Sequence, residues 1–448
     1  MDNYKLNIAV LLLAVVTTAS VFSAFLVIYR HSPSASVNHT CNDPCRFSLI
    51  ETIPENLTYN GTSLNHPSIY ESWMELISAA NESIDIGAFY FTLQGKDVME
   101  NPDPSAINGD TVFNGLKDAL TKRKLKVRIV QSKPTGVSQG NDTAVLGQLG
   151  ADVRSIDFPK LVGAGILHTK LWVIDNKHFY VGSANLDWRS LAQVKELGTV
   201  TYDCPCLAAD IAKIFEAYWA MSAPDAEIPS PWPDNYDTIY NNRTPAEVKL
   251  NGKDQAMVYL SSSPPQFCPA SRTTDIDAIL DIINKPQKFI YIAVMDYFPT
   301  TLYLHPNRAW FVIDNALRIA AYERNVEVRV LGSWWNHTQH SMPYFLESLK
   351  LYSRHIQVKL FKVPASVKQA KIPYSRVNHN KYMVTENVAY IGTSNWSGDY
   401  FIDTGGIGFI VNQTSNSANS SIPQQLKAIF DRDWNSSYSH PVTDHMKI

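Results

Sequence analysis

Apolar residues alternate with period two over short stretches and with a helical period over longer ones, in an order that occurs twice. Ser83–Phe91, Lys126–Val130 and the run that begins at His168 and continues through Leu171, Trp172, Val173 and Ile174 predict strands. Glu71–Ala80 and Ala208–Trp219 carry apolar residues at helical spacing. Further on, Phe289–Met295 matches the first strand, Val326–Val330 matches Leu125–Ile129, and Ile429–Trp434 matches Ile214–Trp219. Arg128 and Arg329, His168 and His379, and Trp219 and Trp434 are separated by similar lengths of chain, which marks an internal duplication. Strands alternating with helices predict layered α/β halves around a pseudo-twofold axis. The Pro-rich stretch 224–233 and the polar run Asn235–Thr244 serve as a connector, giving a first half at 46–234 and a second at 235–448.

Upstream, Ile8–Tyr29 is free of charge between Lys5 and Arg30, long enough to span a bilayer and longer than a signal-peptide core. It predicts an uncleaved signal anchor, residues 1–7 forming a cytosolic tail and 30–45 a luminal stalk, with cleavage near Ser23-Ala24 as the alternative. Lys5 against Arg30 does not fix the orientation. Glycosylation acceptors at Asn38, Asn56, Asn60, Asn81, Asn141, Asn242, Asn336, Asn412, Asn419 and Asn435 favour a luminal body. With 45% hydrophobic residues the chain buries a large core. A net charge of −3 supplies no broad basic field, so any nucleic-acid contact is local.

Two stretches carry the chemistry. His168-Thr169-Lys170 with Asp175, then Gly182-Ser183-Ala184-Asn185, recurs as His379-Asn380-Lys381 with Glu386, then Gly392-Thr393-Ser394-Asn395. Period-two geometry sets each His beside its Lys. Imidazole, ammonium, amide and hydroxyl groups converging on one point make a phosphate site, and two copies imply one site built from two halves. The pattern H-x-K-x4-D followed by G-S-x-N, present twice in register, resembles the phospholipase D superfamily. The flanks Leu167-His168-Thr169-Lys170 and Val377-Asn378-His379-Asn380-Lys381 are similar to its membrane-anchored lysosomal branch, the phospholipases D3 and D4, over about Cys41 to His440. That resemblance implies two pseudo-symmetric α/β-sandwich halves of the phospholipase D fold behind one transmembrane helix, and a mechanism without metal or cofactor. It also implies a type II membrane protein of the ER, Golgi and endosome–lysosome with a luminal catalytic body, processing to a soluble lysosomal form being left open.

In a phosphodiesterase of this kind Lys170, Lys381, Asn185 and Asn395 offset the charge on phosphorus-bound oxygens. One of His168 and His379 attacks phosphorus to give a phosphohistidine, and the other protonates the departing oxygen. Sequence alone leaves open which does which. Ser183 and Ser394 are expected to touch substrate. Asp175 lies an odd number of residues beyond His168, on the opposite strand face, so it and Glu386 are expected to be structural. Glu196 matches the superfamily's position for an acid that orients a catalytic His; the second copy has Gly406 there, and Asp403 is the nearest substitute. Phe89, Tyr90, Tyr297, Phe298, Trp334 and Trp335 are candidates for stacking a terminal base, core packing being the commoner role for each.

The resemblance implies an acid-active 5′-to-3′ exonuclease that degrades single-stranded DNA and RNA from the 5′ end. One alternative is a phospholipase D or transphosphatidylase acting on phosphatidylglycerol-type phospholipid, held at the membrane by residues 8–29. A second is a non-catalytic glycoprotein of the same fold. A homodimer is compatible with each. Among the five cysteines, Cys41, Cys45, Cys204 and Cys206 are poorly spaced for a four-thiolate zinc site, and an oxidising lumen favours disulfides. Their spacing leaves the connectivity open. The resemblance implies Cys41 with Cys206 and Cys45 with Cys204, tying the stalk to the first half and leaving Cys268 over.

Overall fold

The computed structural model describes residues 40–59, 64–134, 141–252, 255–413 and 421–446. The expected cytosolic tail, the span 8–29 and the start of the stalk lie outside these residues. No helix among the described residues is long and apolar enough to cross a membrane.

The strands, in chain order, are β1 (Thr40–Cys41), β2 (Arg46–Thr52), β3 (Ser83–Ala88), β4 (Phe91–Thr92), β5 (Lys126–Ser132), β6 (Asp152–Ile156), β7 (Lys170–Ile174), β8 (His178–Gly182), β9 (Leu186–Asp187) and β10 (Glu196–Tyr202). They continue with β11 (Ala246–Lys249), β12 (Gln255–Ser263), β13 (Phe289–Val294), β14 (Glu327–Ser333), β15 (Ile356–Phe361), β16 (Lys381–Thr385), β17 (Val388–Gly392), β18 (Gly406–Asn412) and β19 (Ser439–Pro441). Among the described residues a seven-stranded sheet has the order β2-β10-β8-β7-β3-β5-β6, and a ten-stranded sheet the order β1-β11-β12-β18-β17-β16-β13-β14-β15-β19. Seven consecutive strands of the larger sheet, β12 to β15 in that order, repeat the smaller sheet strand for strand. The duplication legible in the sequence is therefore a duplication of topology.

The alternation along β7 sorts its side chains between two cores. Leu171 and Val173 join the core shared by both halves, while Trp172 and Ile174 join a second core under the helix Ile69–Ala79. That helix starts before the expected Glu71 because Ser68 and Glu71 form a capping box. Helix Pro205–Met221, with Pro at its first turn, packs on its own sheet and also reaches β12. Helix Ile422–Trp434 does the mirror-image job, packing on the second sheet and reaching β2. Between the sheets Phe409 meets Phe47 and Phe179, with ring centroids 5.7 and 5.8 Å apart. Apolar packing thus holds the two halves face to face, and their motif strands start at a common seam.

At the N-terminal end of the described residues, disulfides join Cys41 to Cys206 and Cys45 to Cys204. The tether is not to the first half alone: β1 also pairs in parallel with β11, at the edge of the second sheet. Among the described residues these four cysteines are the cluster whose donor atoms lie within 4.8 Å of one another, and disulfide formation uses all four sulfurs. Cys268 is a free, partly buried thiol, 3.2 Å from the Ser262 hydroxyl.

Candidate active site

Backbone pairing between the halves builds the site. The His168 N–H donates to the Gly405 carbonyl at 2.9 Å, and the His379 N–H donates to the Lys195 carbonyl at 2.8 Å. Bridges Leu167–Gly405 and Lys195–Asn378 flank these bonds. Each histidine is therefore anchored by the half it does not belong to, at equivalent positions just before β18 and β10. Both rings, with Asn185, Asn395 and Glu196, line one cavity of about 660 Å³.

The two imidazoles are held by different partners. Glu196 accepts from His379 Nδ1 at 2.9 and 3.0 Å, across the seam. Glu196 is itself completely buried, taking hydrogen bonds from the hydroxyls of Ser183 and Ser190 at 2.5 and 2.9 Å. His168 Nδ1 instead donates to the Thr393 backbone carbonyl at 2.9 Å, which leaves Nε2 with its lone pair. Burial lowers both histidine pKa values below the ordinary range. For His168, Lys170 and Lys381 push further in the same direction, well below it. For His379, the Glu196 carboxylate works against burial. His168 thus rests neutral, and His379 is the ring whose protonated form has an acid beside it.

The lysines sit behind the rings. Lys381 Nζ donates to the His379 carbonyl at 2.7 Å, and Lys170 Nζ to the His168 carbonyl. Burial pushes both ammonium groups down, Lys381 to about 7 and Lys170 well below its usual value, where Lys381 adds to the effect. Glu196 works against burial at both lysines, and Asp296 does so at Lys381. The asparagine amides face inward: Asn185 Nδ2 donates to the Tyr90 hydroxyl at 3.3 Å, and Asn395 Nδ2 to Asp296 at 3.1 Å and to the Tyr400 hydroxyl at 3.2 Å.

Several expected residues lie elsewhere. The Ser183 hydroxyl braces Glu196 and accepts from Leu197 N–H at 3.0 Å, so it supports the dyad rather than meeting substrate. Its register partner is Thr393, whose hydroxyl accepts from Ile407 N–H at 3.0 Å, and Ser394 is fully buried away from the cavity. Asp403 does not take the place of Glu196: its hydrogen-bonding contact is Thr404, and the Thr393 carbonyl occupies His168 Nδ1. Burial pushes the Asp403 carboxyl up to about 6. At Gly406 a Cβ would stand 2.3 Å from the Ser394 hydroxyl, leaving no room for a side chain there. Asp175 accepts from the backbone N–H groups of Asn81, Glu82 and Ser83 at 2.7, 2.9 and 2.7 Å, pinning the start of β3. Burial acts upward on that carboxyl, but the three N–H bonds outweigh it and hold it low. Glu386 does the same for β13 through Gln287 N–H at 2.7 Å.

Of the aromatic candidates, Phe89, Tyr90, Phe298 and Trp335 line the cavity. Tyr297 is buried on Asp314, and Trp334 stacks on His445. Asp296, Tyr400, Tyr303, Tyr374 and His337 also line the wall, outside any motif. Asp296 directly precedes the Tyr297-Phe298 pair, and only its register with Tyr90 could have singled it out.

A domain family described as "PLD3/4, PLD-like domain" matches residues 62–366. The 5′-3′ exonuclease PLD3 of Xenopus laevis is 53% identical over 405 residues, which are 89% of this chain and 81% of that protein. The protein of the same name from Homo sapiens is 50% identical over 407 residues, 90% and 82% of the two chains. Phospholipase D Z of Dictyostelium discoideum is 46% identical over 397 residues, 89% and 91%. Among solved structures, the phosphatidylserine synthase of Haemophilus influenzae Rd KW20 superposes with a TM-score of 0.55 at 12% identity, covering 85% of this chain and 87% of that one, a likeness of fold alone.

Proposed function

The chain belongs to the phospholipase D superfamily, in its PLD3/4 branch, and on that footing we propose that it is a 5′-to-3′ exonuclease that hydrolyses phosphodiesters of single-stranded DNA and RNA through a phosphohistidine. The observation that carries this is the pairing of two unlike imidazoles in one cavity, one bonded to a carbonyl and one to a buried carboxylate. His168 Nε2 attacks phosphorus while the bond to the 5′-oxygen of the next nucleotide breaks, and His379 gives that oxygen its proton. His379, now neutral, takes a proton from water; the hydroxide attacks phosphorus, and the bond to His168 breaks. Lys170, Lys381, Asn185 and Asn395 stabilise the equatorial oxygens, whose charge peaks in each transition state.

An end-labelled oligonucleotide at pH 5 with EDTA tests this assignment. Stepwise release of nucleoside 3′-phosphates from the 5′ end is expected. Internal cuts, or activity lost in EDTA and restored by a divalent ion, would refute it. A lipid reading draws on the 46% identity to a protein named phospholipase D Z and on the apolar wall of Phe89, Phe298, Met295 and Leu302. Phosphatidylglycerol in the same assay measures it. We place the catalytic body in the acidic endolysosomal lumen, with residues 8–29 as a type II anchor. A glycosidase that fails to shift the protein from animal cells would overturn that orientation.

A further inference from the structure

Beside the catalytic cavity lies a second one of about 410 Å³, and the two share Trp335, His337 and Tyr374. These three rings form a ledge. The His337 imidazole stacks on the Tyr374 ring, with centroids 4.6 Å apart and planes inclined by 15°, and Trp335 meets His337 edge-on at 4.7 Å. The ledge faces solvent, Tyr374 being 62% exposed. Tyr374 holds a left-handed φ of 52°, which is costly for a bulky residue and persists only where the surroundings enforce it. Arg189 donates to the Pro373 carbonyl just before it at 2.6 Å, and the Arg376 N–H two residues on donates to the Gln193 carbonyl at 3.1 Å. Both anchors come from the first half. A strained segment of the second half is thus held so that it presents an aromatic face to water.

The charge of this groove suits a polynucleotide. Lys362 and Arg376 line it, and among the described residues no carboxylate does. Arg376 donates to the carbonyls of Pro364 and Glu55 at 2.8 and 3.0 Å and so is a fixed positive charge, whereas Lys362 is exposed. A chain with a net charge of −3 therefore has a local cationic, aromatic lining here. Rings that stack bases, with a cation beside the backbone, hold single strands without reading their sequence. The proposed mechanism gives the strand its direction. His379 protonates the departing oxygen, so the outgoing strand lies on its side, and the segment from Tyr374 to His379 leads from the groove to that ring.

We propose that this groove is a subsite for the third nucleotide from the 5′ end, its base stacked on the ledge of His337 and Tyr374 and its phosphate beside Lys362. The subsite rests on the exonuclease reading, and the experiment separates the two. Release of the first nucleotide is measured with the full chain, treated with a glycosidase because Asn336, an expected acceptor, lines the groove. The wild type is expected to lose about tenfold in kcat/KM when the third residue of a hexanucleotide is made abasic. In Tyr374→Ala the intact hexanucleotide should fall by a similar factor, and removing the base should then cost less than about threefold. A second measurement covers a variant that fails to fold: His168→Asn, with the groove intact, is irradiated with a hexanucleotide carrying 5-iodouracil at the third position, and the crosslink is expected on the peptide holding His337 or Tyr374. No loss at the abasic position in the wild type, an undiminished abasic effect in Tyr374→Ala, or a crosslink that is absent or on another peptide would each overturn the subsite. A wild type that shortens neither hexanucleotide from its 5′ end would overturn the exonuclease reading itself.

Discussion

At the scale of single residues, the roles proposed for the two histidines predict different responses to a better leaving group. His379→Asn removes the acid, and turnover of an oligonucleotide should fall by about 10²–10⁴. A p-nitrophenyl phosphodiester, whose phenolate departs without a proton, should restore the first step, read as a burst of p-nitrophenolate, while hydrolysis of the phosphohistidine still lacks its base. His168→Asn removes the nucleophile, and no leaving group restores it. Equal rescue of both variants would contradict the assignment. Glu196 gives a pH prediction. In the proposed mechanism His379 acts as the imidazolium; burial lowers its pKa and Glu196 raises it. Glu196→Gln should therefore move the alkaline limb of kcat/KM to lower pH, and an unmoved limb would show that Glu196 does not tune His379. The histidines, lysines and asparagines were legible as motif residues. The destination of Glu196 was not, because a bond from one half to the other is a tertiary fact. Ser183 and Ser394 misled because they occupy different register positions: Thr393 is the true partner of Ser183, and it offers His168 its carbonyl.

At the scale of elements, the helix Ile422–Trp434 is the brace beneath the site. Arg432 makes two bonds to Glu51 of β2, both 2.7 Å. Asp433 meets Lys195 at 2.7 Å with both side chains fully buried, and takes the Tyr59 hydroxyl at 2.6 Å. The backbone of Lys195 holds both Val377 and His379. Burial acts upward on the Asp433 carboxyl, but Lys195 and Arg432 outweigh it, so its pKa is depressed. Its stabilising contribution therefore persists in mild acid, above the ordinary carboxyl pKa, and is lost as pH falls through that depressed value. Asp433→Ala leaves Lys195 buried and unpaired, and should cost about 3–5 kcal/mol in denaturant unfolding. A loss below about 1 kcal/mol would mean the pair behaves as a surface contact. The elements themselves were largely legible from periodicity. The early start of helix Ile69–Ala79 was written in Ser68 and Glu71, a signal that apolar spacing does not register. β1 and its pairing with β11 were not legible, since so short a strand has no period to detect.

At the scale of the whole molecule, the duplication visible in the sequence sets the strand order of both sheets, and their packing brings two copies of one motif to one cavity. The copies have since diverged: a carboxylate serves one His and a carbonyl the other, and Asp296 stands where the first half has Tyr90. A symmetric fold thus carries an asymmetric site, which is what a directional, two-step displacement needs. The most direct test is to quench the wild-type enzyme in turnover at alkaline pH, where phosphohistidine survives, and to map the phosphorylated peptide by mass spectrometry. The covalent group is expected on His168, with His379 unmodified. A label on His379, or turnover with no covalent intermediate on either ring, would contradict the account.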